Sequence, residues 1–91
     1  MVKIHFSSSM QSVTKGSTEI DIDFEGTLSA LIERLSEVLG QEFRNRLLED
    51  GRIRRYVNIY VDGRDIRFAG GIQARVERDS VVDFVPAVSG G

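Results

Sequence analysis

The stretch Ile20–Gly40, IDIDFEGTLSALIERLSEVLG, decides the fold, because the spacing of its apolar residues changes partway along it. Ile20, Ile22 and Phe24 alternate with Asp21, Asp23 and Glu25, the period-two pattern of a strand buried on one face. After Gly26, the apolar residues Leu28, Leu31, Ile32, Leu35, Val38 and Leu39 recur at three- and four-residue spacing, with Glu33, Arg34, Ser36 and Glu37 left for water. That spacing predicts an amphipathic helix. Thr27 is placed to cap its first turn, and Gly40 suits the left-handed residue that ends it.

Working outward, Val2, Ile4 and Phe6 alternate with Lys3 and His5, a second one-sided strand. The polar segment from Ser7 to Ser17 between the two strands reads as a mobile loop, so the strands form an antiparallel hairpin with a long connection. Beyond the helix, Phe43, Leu47 and Leu48 suggest a short second helical turn before the turn signal Glu49-Asp50-Gly51. Period two then returns: Val57, Ile59 and Val61 are expected in the core, with Tyr56, Asn58 and Tyr60 opposite. Asp62-Gly63 reads as a tight turn into a short edge strand, Arg64 to Phe68, that carries Ile66 and Phe68. Ala69-Gly70-Gly71 breaks that pattern, and Ile72 to Val76 reads as one helical turn. The last strand is Ser80 to Val85, with Val82 and Phe84 inward and Val81, Asp83 and Val85 outward.

Two strands, a crossing helix and a return of strands give an α+β chain with the β-grasp arrangement: a mixed sheet, one main helix across one face, the other face open for binding. Pro86 has no N–H to give a ladder, so pairing is expected to stop there. The expected organisation is a domain over residues 1–85 and a flexible, extended tail over residues 86–91, which reaches roughly 20 Å.

Ninety-one residues suffice for one such core. The 41% hydrophobic and 29% charged fractions place the chain among globular rather than disordered sequences. A net charge of -2 gives no electrostatic case for nucleic acid or an acidic membrane. Arg44, Arg46, Arg52, Arg54 and Arg55 do cluster, but with Glu42, Glu49 and Asp50 interleaved they read first as a solvated surface and second as a patch for an acidic partner. The absence of cysteine removes disulfides, thiolate catalysis and cysteine metal sites, and suits a reducing compartment. Neither a signal peptide nor a membrane-length apolar run is visible, so a cytoplasmic protein is expected.

Catalytic constellations are hard to assemble from what remains. His5 has no second ligand at metal spacing and reads as an ordinary sheet histidine, and the carboxylates Glu19, Asp21, Asp23 and Glu25 simply trace the wet side of a strand. Gly70-Gly71 lacks the lysine and βαβ context of a phosphate loop, and the serines lack a partner base. No metal site is expected.

Chemistry therefore falls on the end of the sequence, Val88-Ser89-Gly90-Gly91. Small residues let such an arm thread a narrow channel, and Gly90 leaves the last carbonyl open to approach from either side. A terminal carboxylate on Gly91 is inert until activated, typically as an acyl adenylate that sulfide, a thiol or an amine can attack. Tyr56, Tyr60 and Val85, near the departing tail, supply the large amphipathic area of an interface centre; with Pro86 and Ala87 they form the expected docking surface.

Arg55-Tyr56-Val57-Asn58-Ile59-Tyr60-Val61, Asp65-Ile66-Arg67-Phe68-Ala69-Gly70-Gly71, Asp79-Ser80-Val81-Val82 and Val85-Pro86-Ala87-Val88-Ser89-Gly90-Gly91 together resemble the ThiS/MoaD family of ubiquitin-like sulfur carriers. Within it the chain is most similar to the carriers of thiocarboxylate-dependent cysteine biosynthesis and of relatives that supply sulfur to secondary metabolites. The resemblance implies a protein cosubstrate rather than an enzyme, with no cofactor of its own. An E1-like partner would use ATP to adenylate Gly91, sulfide or a persulfide would supply sulfur, and a cysteine-synthase-like or other biosynthetic synthase would accept it. In the cysteine branch a JAMM-type metalloprotease would release the product. The same fold also allows the small subunit of molybdopterin synthase, a ubiquitin-like modifier joined to lysines, or an inert interaction domain.

Overall fold

The computed structural model describes residues 1–87. Nine strands and two α-helices follow one another: β1 (Val2–Phe6), β2 (Glu19–Ile22), β3 (Gly26–Thr27), α1 (Leu28–Leu39), α2 (Gln41–Leu47), β4 (Leu48–Glu49), β5 (Arg52–Ile53), β6 (Val57–Val61), β7 (Arg64–Asp65), β8 (Arg75–Val76) and β9 (Val81–Pro86). The main sheet has the order β2-β1-β9-β6-β7. β1 runs antiparallel to β2 and parallel to β9, and β9 runs antiparallel to β6, so the sheet is mixed as expected. β3 with β8, and β4 with β5, make two small ladders outside it.

Helix α1 follows from its sequence. Thr27 accepts the Ala30 N–H at 3.1 Å, satisfying one of the donors that a helix start leaves open. Leu28, Leu31, Ile32 and Leu35 are completely buried, each contributing about 1.5–3 kcal/mol of apolar burial. Val38, expected on the same stripe, is instead 55% exposed, one residue before the helix ends. Gly40 closes the helix with positive φ but extended ψ, 108° and 174°, rather than the left-handed helical pair. This turns the chain sharply into α2, which is longer than the single turn expected and buries Phe43 and Leu47 completely.

Both Asp-Gly pairs work as turns by the same means. Asp50 and Gly51 have φ of 54° and 78°, and Asp62 and Gly63 have 52° and 81°, the doubly positive geometry that suits a two-residue hairpin. The first pair makes the β4–β5 hairpin and the second joins β6 to β7.

Three segments differ from their sequence reading. The Ser7–Ser17 connection is packed rather than loose: a 3-10 turn over Ser8–Met10 drives Met10 fully into the core, and buried Thr14 donates to the Ser17 carbonyl at 2.6 Å. One methionine among serines was enough to anchor it. The expected edge strand Arg64–Phe68 stops after Asp65, whose carboxylate accepts the Arg67 N–H at 2.9 Å and caps a 3-10 turn over Ile66–Phe68. Ile66 is buried, but Phe68 is 83% exposed. The helical turn expected over Ile72–Val76 is a shorter 3-10 turn, Gly71–Gln73, followed by β8. There β3 offers a partner strand, and Leu28 N–H donates to the Ala74 carbonyl at 2.8 Å.

The core lies between the sheet and the two helices. Its centre is an aromatic trio, Phe6, Phe43 and Phe84, with ring centroids 5.7–6.1 Å apart. No helix among the described residues is long and apolar enough to cross a membrane.

Candidate functional site

β9 is the central strand, held on both sides, and its alternation sorts two faces: Val82, Phe84 and Pro86 are buried, while Val81, Asp83 and Val85 lie on the face away from the helices. Pairing does not stop before the proline. Val57 stands opposite Pro86, and the Ala87 N–H donates to the Tyr56 carbonyl. The missing donor costs nothing because ladder bonds alternate in direction: Ala87 points its N–H towards β6, so that of residue 86 would point to the β1 side. There β1 has already ended, and the Ser7 N–H turns back to the Phe84 carbonyl at 3.1 Å.

The expected docking residues divide accordingly. Asn58 faces Val85 across the β6–β9 ladder and Tyr60 faces Asp83, so Tyr60 and Val85 share the open face. Val85 is 39% exposed, Tyr60 is half-buried, and Tyr56 is 41% exposed just before β6. Ala87 is exposed at the strand end. Pro86 is buried on the opposite side of the sheet, among the core residues, and so does not contribute its ring to this surface. Val88, Ser89, Gly90 and Gly91, the expected access and reaction residues, lie outside the described residues.

Polar side chains flank this centre on both sides. His5 lies between two carboxylates, Nδ1 2.9 Å from Asp83 and Nε2 3.1 Å from Glu19, and Lys3 approaches Glu19 at 3.5 Å. The two ring nitrogens point in opposite directions, so these groups cannot converge on one ion, and the described residues contain no cluster fit to hold a metal. Across the patch, Arg67 donates to Asn58 Oδ1 at 2.7 Å and to Asp65 Oδ2 at 3.0 Å. The result is an apolar middle with a charged rim, the usual anatomy of a protein interface.

Sequence reading missed Arg67, because period two placed it inside an edge strand. The signal that could have found its turn was Asp65 two residues ahead of it, a residue that caps its own chain, with Ala69-Gly70-Gly71 following.

Outside the patch, an ion pair between the two helices shifts the titration of both its members. Arg44 Nε donates to Glu33 Oε1 and Oε2 at 2.8 and 3.2 Å; this hydrogen bond, with the attraction of the charge, holds Glu33 below the usual carboxylate range and raises Arg44. It ties α1 to α2 on the surface.

Comparison with known proteins agrees with this architecture. Residues 4–91 match the ThiS family. A provisionally named sulfur carrier protein of Archaeoglobus fulgidus is 35% identical over 80 residues, 88% of this chain and 90% of that one. The sulfur carrier protein CysO of Mycobacterium tuberculosis is 35% identical over 69 residues, 76% of this chain but 64% of the mycobacterial one. Among solved structures, that of the Amycolatopsis orientalis BexX/CysO complex superposes with a TM-score of 0.90 at 25% identity, covering all of both chains. The family pattern spans nearly the whole sequence, and the sheet order and helix placement are those of a ubiquitin-like β-grasp domain: this chain belongs to the ThiS family and is a sulfur carrier protein of that type.

Proposed function

We propose that the protein carries sulfur as a thiocarboxylate on Gly91 and donates it to a biosynthetic acceptor, cysteine formation being the branch its CysO relatives favour. The observation that carries this reading is the register of β9: the strand is clamped through Ala87 to Tyr56, four residues before Gly91 and beside the Tyr60–Val85 patch. A partner that covers the patch therefore meets the departing chain at a fixed point.

The steps follow from acyl chemistry. A carboxylate oxygen of Gly91 attacks the α-phosphorus of ATP, bound by an E1-like partner, and pyrophosphate leaves. Sulfide, or the terminal sulfur of a persulfide, attacks the acyl carbon, and AMP leaves with the bonding pair. In the persulfide case the remaining sulfur–sulfur bond must then be cleaved by a thiol. The thiocarboxylate sulfur next attacks an activated acceptor such as a serine derivative, displacing its leaving group. Rearrangement to an amide and cleavage by a metalloprotease would free the product and restore the carboxylate. The described residues are asked for no acid or base; their work is to dock and to present. The small side chain of Ser89 and the lack of one at Gly90 would leave the acyl carbon open to both nucleophiles.

The test is intact mass spectrometry after incubation with the adenylating enzyme, Mg-ATP and sulfide. Exchange of one oxygen for sulfur, localised to Gly91 by fragmentation, supports the reading. Conjugation to lysines without that exchange would make the protein a modifier instead, and an unchanged mass would refute the carrier role.

A further inference from the structure

The side of β6 that faces the helices opens, near its start, into a cavity of about 470 Å³. This lies within the size range of ligand sites, roughly 300–1,000 Å³. Val57 and Ile59 from β6 and Ile66 lie at its base but are almost wholly buried, so the apolar surface it offers comes mainly from Ile53 of β5 and Ile72 of the second 3-10 turn. Its other walls come from the β5 region and are rich in positive charge. Arg52, Arg54, Arg55 and Arg67 all line it, against one carboxylate, Asp65.

These arginines are not equally engaged. Arg67 is held by Asp65 and Asn58, and Arg54 by the Asn45 carbonyl at 2.8 Å and Glu49 at 3.3 Å. Arg52 and Arg55 are exposed and form no ion pair with any described residue. Glu49 and Asp50 stand beside these arginines and Arg54 and Arg67 are already paired, so the charge available to an anionic occupant is that of Arg52 and Arg55. An aliphatic surface, however, gives a bare anion nothing to bury. The occupant must carry both kinds of group.

The backbone adds a shape. β7 pairs with β6 only at Tyr60 and Val61, so the outer edge of Val57–Ile59 has no neighbouring strand. The Val57 N–H is already held by the Arg54 carbonyl at 3.0 Å, and the Arg67 side chain reaches back to donate to the Arg55 carbonyl at 3.4 Å. A strand edge beside a pocket accommodates extended chain, with alternate side chains entering the pocket.

We propose that this cavity is a docking site for an extended acidic segment of a protein partner, which seats a branched aliphatic side chain between Ile53 and Ile72 and sets its carboxylates against Arg52 and Arg55. The site lies on the opposite side of the sheet from Tyr60 and Val85, yet within two residues of Tyr56, where the Ala87 N–H is bound. One partner could therefore grip both sides of the tail root. The inference does not use the chemistry of Gly91, and a chain lacking Gly91 should bind the segment as well as the full chain does.

The experiment is an amide chemical-shift titration of the full chain with three synthetic peptides of equal length: a central isoleucine flanked by aspartates and glutamates, the same peptide with lysines for the acids, and the acidic peptide with serine for isoleucine. Shifts around Arg52–Val57 and Ile66–Ile72 are expected with the first peptide alone, with affinity falling as ionic strength rises. The double variant R52E/R55E should lose about tenfold in affinity for it and gain binding of the lysine peptide, a swap that simple unfolding could not produce. Equal binding of the lysine or serine peptide, shifts confined to the Tyr60–Val85 face, or no shift at millimolar peptide would overturn the proposal. So would the same shifts produced by inorganic phosphate, which would mark an anion site only.

Discussion

Phe43 stands edge-on to Phe84, their ring centroids 6.1 Å apart and their planes at 71°, so the short helix α2, not α1, braces the central strand at this point. The central strand thus rests on one ring of a seven-residue helix and, at 5.7 Å, on Phe6 of the neighbouring strand. Edge-to-face pairs of this kind add to plain area burial.

Truncating that ring should be expensive. Phe43→Ala removes a completely buried side chain and is expected to cost about 3–5 kcal/mol, read as a lower denaturation midpoint at unchanged slope. A loss below about 1 kcal/mol would mean that the cavity refills and the brace is dispensable.

Asp62 has two structural tasks. Its φ is 52°, and its carboxylate accepts from Ser80 Oγ and the Val81 N–H, both at 2.8 Å, tying the β6–β7 turn to the start of β9. Asp62→Ala is expected to destabilise by about 1–3 kcal/mol. Asp62→Gly, which relieves the backbone but also lacks the acceptor, should recover part of that loss; equal losses would show that the conformation contributes nothing.

The Glu33–Arg44 pair gives a pH dependence whose sign is fixed. Its hydrogen bond lowers the Glu33 pKa in the folded state, so the stabilisation is present above the unfolded-state pKa and fades as pH falls through the lowered folded value. Because the pair is exposed, the effect is small and salt-sensitive. Carbon-detected titration should place the Glu33 midpoint below the usual carboxylate range, and Arg44→Gln should raise it.

On the proposed sulfur chemistry, Gly90→Val should slow thiocarboxylate formation by about a hundredfold, because misplacing a reacting carbonyl by even an ångström is that costly. Thermal stability should not move. Wild-type rates in this variant would mean that access to the acyl carbon is not limiting.

Val85→Arg places a charge in the middle of the apolar patch while leaving the core face of β9 untouched. On the proposed function, it should weaken binding to the adenylating partner proposed above by about 1–3 kcal/mol, seen as a raised KM for the carrier. An unchanged KM would move the docking surface elsewhere.

Much of this protein is written in local periodicity. Alternation in Val2–Phe6, Ile20–Ile22, Val57–Val61 and Val81–Val85, and three-four spacing in Leu28–Leu35, determine which residues are strand or helix and which side faces the core, because side-chain direction follows directly from backbone period, whereas the alternation predicted to run on to Phe24 stops at Ile22. The family pattern over residues 4–91 was legible for the same reason, as fixed residues at fixed spacing. Tertiary structure alone decided the rest. Pro86 belongs to the ladder because β1 ends beside it; Met10 is core because the 3-10 turn over Ser8–Met10 carries it inward; Phe68 is outside because Asp65 turns the chain; and the arginines meet aliphatic side chains because β5, β6 and the 3-10 turns converge there. Each depends on which distant segment lies alongside, and a one-dimensional pattern holds no record of its neighbours in space.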